Sequence, residues 1–138
     1  MNDKASRNLQ IGDSAEFTKT ITEGDITLFA GVTGDFNPVH INKVWADNSR
    51  FQGRIAHGML SAGMISGVIG MQLPGPGTIY MSQEIKFLAP VYLGDTITAR
   101  VEVIEFNQEK NRARLRTTCH NQTGKLVVDG IAQVMTPA

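Results

Sequence analysis

The segment that decides the fold runs from Gly58 to Gln72 and reads GMLSAGMISGVIGMQ. Its apolar residues occupy every face of a helix, which is typical of a helix surrounded by protein. Gly63, Gly67 and Gly70 each weaken such a helix by about 1 kcal/mol relative to alanine. We therefore expect neighbouring backbone to approach closely at these glycines. Residues 73–77, LPGPG, end the helix.

The sequence after the helix changes to a period of two, which is typical of strands with one buried and one solvent-facing side. A last strand is predicted from Leu126 to Met135. The predicted apolar sides of the earlier strands are Ile79, Met81, Ile85 and Phe87; Ile97, Ala99, Val101 and Val103; and Ala113, Leu115, Thr117 and Cys119. A curved antiparallel sheet wrapped around the helix would bury both the helix and the apolar faces of the strands, so the sequence predicts an α+β architecture.

The N-terminal half is predicted to contain shorter elements. Residues 14–20 alternate enough to form a strand, and Thr22 and Asp25 form a capping-box signal for a helix that stops near Gly34. A short helix is expected over residues 43–48. We expect one domain over residues 1–138, with residues 1–8 as a flexible tail.

Composition limits the possible functions. Of 138 residues, 41% are hydrophobic and 19% charged, with 13 basic and 13 acidic side chains. The chain is therefore globular, and it lacks the charge excess of a nucleic-acid or membrane-surface binder. Its longest apolar stretch, residues 59–71, is too short for a bilayer, which needs about 20 residues. The single cysteine, Cys119, cannot form an internal disulfide, so we expect a cytoplasmic protein.

Asp35 and His40 lie five positions apart in one loop, with Asn37 and Pro38 between them. A carboxylate and an imidazole held together can give and take protons in one reaction. The alternative is structural, since aspartate is common where a helix ends and His40 could be a partly buried residue. Residue types alone leave both interpretations open.

Other polar residues around the predicted helix also allow two interpretations. Gly58 follows His57 at the helix start, where free N–H groups and the helix dipole could polarise a carbonyl oxygen. His57 itself is predicted to be structural or capping. Ser66, among apolar residues, either bonds to the preceding turn or supports the site. The row Arg112, Arg114 and Arg116 is either a solvated face or a contact for phosphates.

Several common sites are missing from the sequence. It contains no Gly-rich phosphate loop, no Gly-x-Ser-x-Gly elbow and no Cys/His metal-ligand spacing. The three histidines, His40, His57 and His120, also lack zinc-ligand spacing. We therefore expect a reaction that needs no metal and no nucleotide cofactor.

The run from Phe29 to Asn42, FAGVTGDFNPVHIN, resembles the signature of the MaoC-like (R)-specific enoyl-CoA hydratases, also called hydratase 2. Residues 54–60, RIAHGML, resemble the segment that opens the central helix of that family. The resemblance covers roughly residues 10–135. It implies a hot-dog fold, in which a curved sheet wraps around a central helix, and a homodimer whose two sheets join side by side.

The resemblance also implies roles for individual residues. Asp35 and His40 match the catalytic pair, and Gly58 matches the position whose N–H binds the thioester carbonyl. Ser66 matches a serine near the active site. Asn37 between the pair, and Ile69 one turn beyond Ser66, are further candidates for substrate binding. The implied reaction is hydration of a trans-2-enoyl-CoA to the (R)-3-hydroxyacyl-CoA, with coenzyme A as part of the substrate, and the implied role is supply of polyhydroxyalkanoate storage.

Three alternatives remain at this point. A hot-dog thioesterase would direct water to the carbonyl carbon, although the Asp-x-Asn-Pro-x-His loop favours hydration. A 3-hydroxyacyl-carrier-protein dehydratase would run the same chemistry backwards on another carrier. A subunit that only binds acyl thioesters would not need the intact pair of Asp35 and His40.

Overall fold

The computed structural model describes residues 9–137, so the expected tail over residues 1–8 lies outside the described part of the chain. Within residues 9–137, no helix is both long and apolar enough to cross a membrane. The elements in chain order are β1 (Ser14–Thr20), α1 (Glu23–Thr33), α2 (Pro38–Ile41), α3 (Lys43–Asp47), α4 (Gly58–Met71), β2 (Ile79–Phe87), β3 (Thr96–Asn107), β4 (Arg112–His120) and β5 (Leu126–Met135).

The five strands form one antiparallel sheet in the order β1-β3-β4-β5-β2. The predicted strand beginning at Leu126 and ending at Met135 is confirmed, as is the predicted strand at residues 14–20. The long connection between β1 and β2 carries all four helices. The sheet is curved and packs against α4, so the α+β hot-dog architecture is confirmed.

The core lies between one side of α4 and the inner face of the sheet. Ile65, Val68 and Ile69 on the helix are at most 2% exposed. They pack with the predicted inward residues of β3 and β4 (Ile97, Ala99, Val101, Val103, Ala113, Leu115 and Cys119), all nearly inaccessible to water. Period-two burial in these strands is therefore confirmed.

The expectation that α4 is covered on every side is wrong for the single chain. Met59 and Met71 are exposed, and Ser66 lies on the same open side of the helix. A Cβ atom added at Gly63 or Gly67 would meet nothing within 4 Å. Gly70 is equally free of close neighbours. The expected close approach of backbone to the three glycines is absent within the described chain, so their open side is available to another surface.

The predicted faces of β2 are wrong in its first half. Ile79 and Met81 are 55% and 49% exposed, whereas Tyr80 packs against the core. The cause is a register shift between Tyr80 and Ser82 in the pairing with β5. Such a bulge moves the following side chains to the opposite face. Only Ile85 of the predicted apolar set packs on the core, and β2 remains the outer strand at one edge of the sheet.

Candidate active site

The loop that carries the predicted acid–base pair is built by local capping. Helix α1 ends at Gly34, whose φ of 80° lies in the left-handed region that glycine adopts readily. The Asp35 side chain then accepts the Asn37 N–H at 3.2 Å. Asn37 in turn caps α2 by accepting the Val39 N–H at 3.2 Å, with Pro38 at the first helical position. These contacts fix the backbone from Asp35 to His40.

His40 is buried, with 8% of its surface exposed, and its orientation is set by one hydrogen bond. Nδ1 lies 2.7 Å from the carbonyl oxygen of Ile55. Because a carbonyl can only accept, Nδ1 carries the proton of the neutral ring. Nε2 of neutral His40 is therefore left with a free lone pair. A group of this kind can take a proton from water or return one.

Asp35 and His40 come together as predicted. A carboxylate oxygen of Asp35, one ring nitrogen of His40 and one of His57 all lie within 4.8 Å of one another. Burial lowers the pKa of His40 below 6.5, and the His57 ring lowers it further. The Ile55 carbonyl and the Asp35 carboxylate act in the opposite direction and raise it. Neutral His40 is thus the favoured form near pH 7.

His57 lies at the centre of this cluster, a position that the sequence did not reveal. It is the N-cap residue of α4, but its side chain makes no capping bond, so of the predicted structural or capping role the capping half is wrong. Its Nε2 instead donates to the carbonyl oxygen of Asp35 at 2.9 Å. Its ring stacks on His40 with centroids 3.9 Å apart and contacts Phe29 at 4.7 Å. Its Nδ1 is buried and has no hydrogen-bond partner in the described part of the chain.

Arg54 is a second contributor that sequence reasoning missed. Its Nε donates to the His40 carbonyl at 2.6 Å, and its two terminal nitrogens bind the Glu23 carboxylate at 2.6 and 2.7 Å. The Ile55 N–H donates to the Val39 carbonyl at 3.2 Å. The resemblance of residues 54–60 to a family segment marked this region as important. Residue spacing, however, did not predict which groups Arg54 would contact.

An apolar cavity of about 400 Å³ opens beside His40 and Gly58. Gly58 is the first residue of α4, as predicted, and a first-turn N–H has no acceptor within its own helix. A Cβ atom at Gly58 would lie 2.7 Å from the ring of Phe87, so glycine keeps this corner open. The remaining walls are chiefly Phe51, Ile55, Met59, Leu88, Ala89, Pro90 and Val91.

Three other candidates lie apart from this cavity within the single chain. Ser66 is exposed on the open side of α4, and Ile69 is 2% exposed in the core. Neither residue lines the cavity beside His40. Asn37 uses its side-chain oxygen to cap α2. Roles for these three residues in substrate binding remain predictions.

The arginine row on β4 is held by local partners, which favours the solvated-face interpretation. Arg114 pairs with Glu105 at 2.9 Å, and Arg116 with Asp129 at 3.5 Å. The third member, Arg112, donates to backbone carbonyls of its own turn.

The chemistry available at the site is proton transfer. Asp35, His40 and His57 also form a group that could hold a metal ion. One nitrogen of each imidazole already binds a carbonyl, so each ring has a single ligand atom left. The expectation of a metal-free reaction remains a prediction. Burial raises the pKa of the Cys119 thiol to about 12, which argues against a cysteine nucleophile.

Comparisons with known proteins agree with this geometry. The model of the MaoC-like domain family matches residues 7–125. The (R)-specific enoyl-CoA hydratase of Rhodospirillum rubrum is 53% identical over 131 residues, which cover 95% of this chain and 90% of that protein.

Two solved structures share the fold at a TM-score of 0.92 each. The R-hydratase PhaJ1 of Pseudomonas aeruginosa is 49% identical, and the match covers 96% of this chain and 84% of that one. The (R)-hydratase of Aeromonas caviae, described as involved in PHA biosynthesis, is 40% identical, with 95% and 99% covered. The chain belongs to the MaoC-like family and resembles its (R)-specific enoyl-CoA hydratases over nearly its whole length.

Proposed function

We propose that this protein hydrates a trans-2-enoyl-CoA to the (R)-3-hydroxyacyl-CoA, with Asp35 and His40 acting on one water molecule. The observation that carries the proposal is the placement of the pair. A carboxylate and an imidazole lie within 4.8 Å of each other, and His40 lines an apolar cavity together with the helix N-terminus at Gly58. The names of the relatives at 40–53% identity support the reaction class.

The chemistry follows from the polarity of the substrate. The double bond of an enoyl thioester is conjugated with the carbonyl, so water adds at C3 and a proton at C2. Asp35 and His40 would deprotonate one water as its oxygen bonds to C3, and return a proton to C2 on the same face. The hydrogen and hydroxyl in the product then both come from that water. The two groups are expected to act as a unit in the reaction, so base and acid are not assigned separately.

The Gly58 N–H would stabilise the charge that develops in this reaction. As C3 is attacked, electron density moves to the thioester oxygen, which becomes enolate-like. A fixed donor at that oxygen binds the transition state more tightly than the substrate. The helix dipole of α4 acts in the same sense.

The physiological setting is also part of the proposal. We expect the substrate to be a coenzyme A thioester, with no metal or further cofactor. We expect a cytoplasmic enzyme that supplies (R)-3-hydroxyacyl-CoA for polyhydroxyalkanoate synthesis, as the description of the Aeromonas caviae relative suggests. The (R) configuration rests on the same relatives.

A homodimer is the expected assembly. Strand β2 is at the edge of the sheet, and Ile79, Met81 and Phe87 on it are each about half exposed. An unpaired apolar edge strand favours association with another strand. Pairing of β2 with its copy would cover these side chains.

The first experiment incubates purified protein with crotonyl-CoA and follows the loss of enoyl absorbance. We expect hydration, with an (R) product by chiral analysis and unchanged activity after EDTA treatment. An (S) product would contradict the assignment to this family of hydratases. Thioester hydrolysis without hydroxyacyl product would favour a thioesterase, and activity only on carrier-protein thioesters would favour the dehydratase.

The second experiment tests the pair. Asp35→Asn and His40→Gln should each lower kcat by at least about 10²-fold, as expected for loss of a general acid or base. The double variant should fall far less than the product of the single effects, because the two groups act together. Near-normal turnover in either single variant would contradict the mechanism. The His120→Gln variant, at the last residue of β4 and outside the lining of the cavity, is the matched control and should retain activity.

A further inference from the structure

We infer that His57 is a positioning residue that holds the Asp35/His40 pair in register with the Gly58 donor. The inference rests on the proposed hydration, because it assigns His57 a role toward those three residues. His57 is 2% exposed and is not among the residues that line the cavity beside Gly58, so it is not placed to contact substrate. It acts through the groups that it contacts.

The His57 ring contacts both Asp35 and His40. Nε2 donates to the backbone carbonyl of Asp35 at 2.9 Å, which fixes the position of the carboxylate-bearing residue. The face of the ring stacks on His40 with a centroid distance of 3.9 Å and an interplanar angle of 30°. The backbone of His57 continues into α4. One side chain therefore links the carboxylate, the imidazole and the helix N-terminus.

The buried Nδ1 of His57 argues that packing alone does not explain this residue. That nitrogen has no hydrogen-bond partner among residues 9–137, which is unfavourable in the interior. A phenyl ring could stack on His40 and Phe29 and would bring no unpaired ring nitrogen into the interior. What a phenyl ring cannot do is donate to the Asp35 carbonyl. The hydrogen bond to the catalytic loop is thus the property that requires histidine at this position.

Two variants separate the hydrogen bond from the ring. His57→Phe keeps the aromatic stack but removes the donor, whereas His57→Gln keeps an amide donor near the position of Nε2 and removes the ring. We expect His57→Phe to lower kcat by about 10²-fold with little change in KM, since a small misplacement of reacting groups has an effect of that size. His57→Gln should restore most of that loss. His120→Gln serves as the control for loss of a histidine.

A spectroscopic measurement tests the same contact without relying on turnover. In ¹H–¹⁵N spectra of the unmodified protein, neutral His57 should be protonated at Nε2 and neutral His40 at Nδ1, as their carbonyl bonds require. The ionisable groups around the His40 ring are Asp35 and His57, and Arg54 binds the His40 carbonyl. Since His57 lowers the pKa of His40, the titration midpoint of His40 should rise in His57→Phe and stay unchanged in His120→Gln.

The outcomes distinguish this inference from the proposed function. If the unmodified protein does not hydrate crotonyl-CoA, the proposed function fails. If it does, and Asp35→Asn is inactive while His57→Phe keeps its kcat and the His40 midpoint, only the role of His57 is overturned. Equal loss in His57→Phe and His57→Gln would overturn the role of the hydrogen bond. If His57→Phe does not fold, a His57 tautomer protonated at Nδ1 in the unmodified protein would still contradict the inference.

Discussion

Replacement of Arg54 by methionine is expected to destabilise the protein through loss of one hydrogen bond in particular. The bond from Nε to the His40 carbonyl is 2.6 Å long, and the Arg54 side chain is only 12% exposed. Removal of a hydrogen bond to a charged donor at such a position costs about 1.5–3 kcal/mol. For a domain of this size, that corresponds to a decrease in Tm of about 5–10 °C. The ion pair with Glu23 adds little, because the Glu23 side chain is 59% exposed.

Three variants measured side by side test this division. Arg54→Met removes both interactions, and Glu23→Gln removes only the ion pair. Arg54→Lys keeps the charge but cannot span the carbonyl and the carboxylate with one ammonium group. Thermal and urea unfolding at one protein concentration should therefore give a large loss, a small loss and an intermediate loss, respectively. If Glu23→Gln lowered the stability as much as Arg54→Met does, the hydrogen bond to the His40 carbonyl would not be the main contribution of Arg54.

The pH dependence of the same variants supplies an independent check. The Arg54 hydrogen bond lowers the pKa of Glu23 below 4.5, against a smaller opposing effect of burial. A lowered carboxyl pKa stabilises the folded state above the unfolded pKa, and the stabilisation is lost as the pH falls through the folded value. The difference between the native protein and Glu23→Gln should therefore vanish in acid. The loss caused by Arg54→Met should persist there in part, because the His40 carbonyl does not titrate.

Three further predictions follow from the structure. Gly130→Ala should lower the free energy of unfolding, measured in urea, by about 1–3 kcal/mol or more, since the new Cβ would overlap a carbonyl oxygen of β2. Gly31→Ala is the control: its new Cβ would meet no atom within 4 Å, so this variant should be neutral or stabilising. The midpoint of the His40 titration, measured by NMR, should lie below pH 6.5, and it should be lower still in Asp35→Asn, which lacks the carboxylate that raises this pKa. Because the folded protein holds His40 neutral, the contribution of this residue to the free energy of unfolding should rise with pH up to about 6.5. A midpoint above 6.5 would contradict this prediction. The native protein should sediment as a dimer at micromolar concentration and Met81→Lys on the edge of β2 as a monomer, while a monomeric native protein would rule out the assembly.

The parts of the fold that local periodicity determines were predictable from the sequence. Helix α4 was expected from Gly58 to Gln72 and ends one residue earlier, at Met71. The alternation in β3 was equally clear, because every second residue from Ile97 to Val103 is buried. The β2 faces were not predictable, because a bulge depends on pairing with another strand rather than on the alternation of residue types.

The candidate site divides in the same way. Asp35 and His40 are five residues apart in one capped loop, so their proximity follows from local structure. Arg54 and His57 contact that loop across 14 and 22 residues, respectively. Contacts at such separations depend on how α4 packs against the sheet. A histidine whose side chain caps no helix has no sequence pattern of its own, which is why the role of His57 emerged only from its hydrogen bond.

The contacts between residues 35–40 and residues 54–57 explain how a small domain can hold a reaction centre built from two segments. Four hydrogen bonds join them, from the Ile55 N–H, the His40 ring, the Arg54 side chain and the His57 ring. Donors come from both segments, so a shift of either segment would break hydrogen bonds between the two. Because Gly58 follows directly, the same bonds set the distance between the acid–base pair and the thioester donor. Catalysis by proton transfer needs both groups at fixed positions at one moment, and one clamped unit provides this at a lower entropic cost than two independent loops.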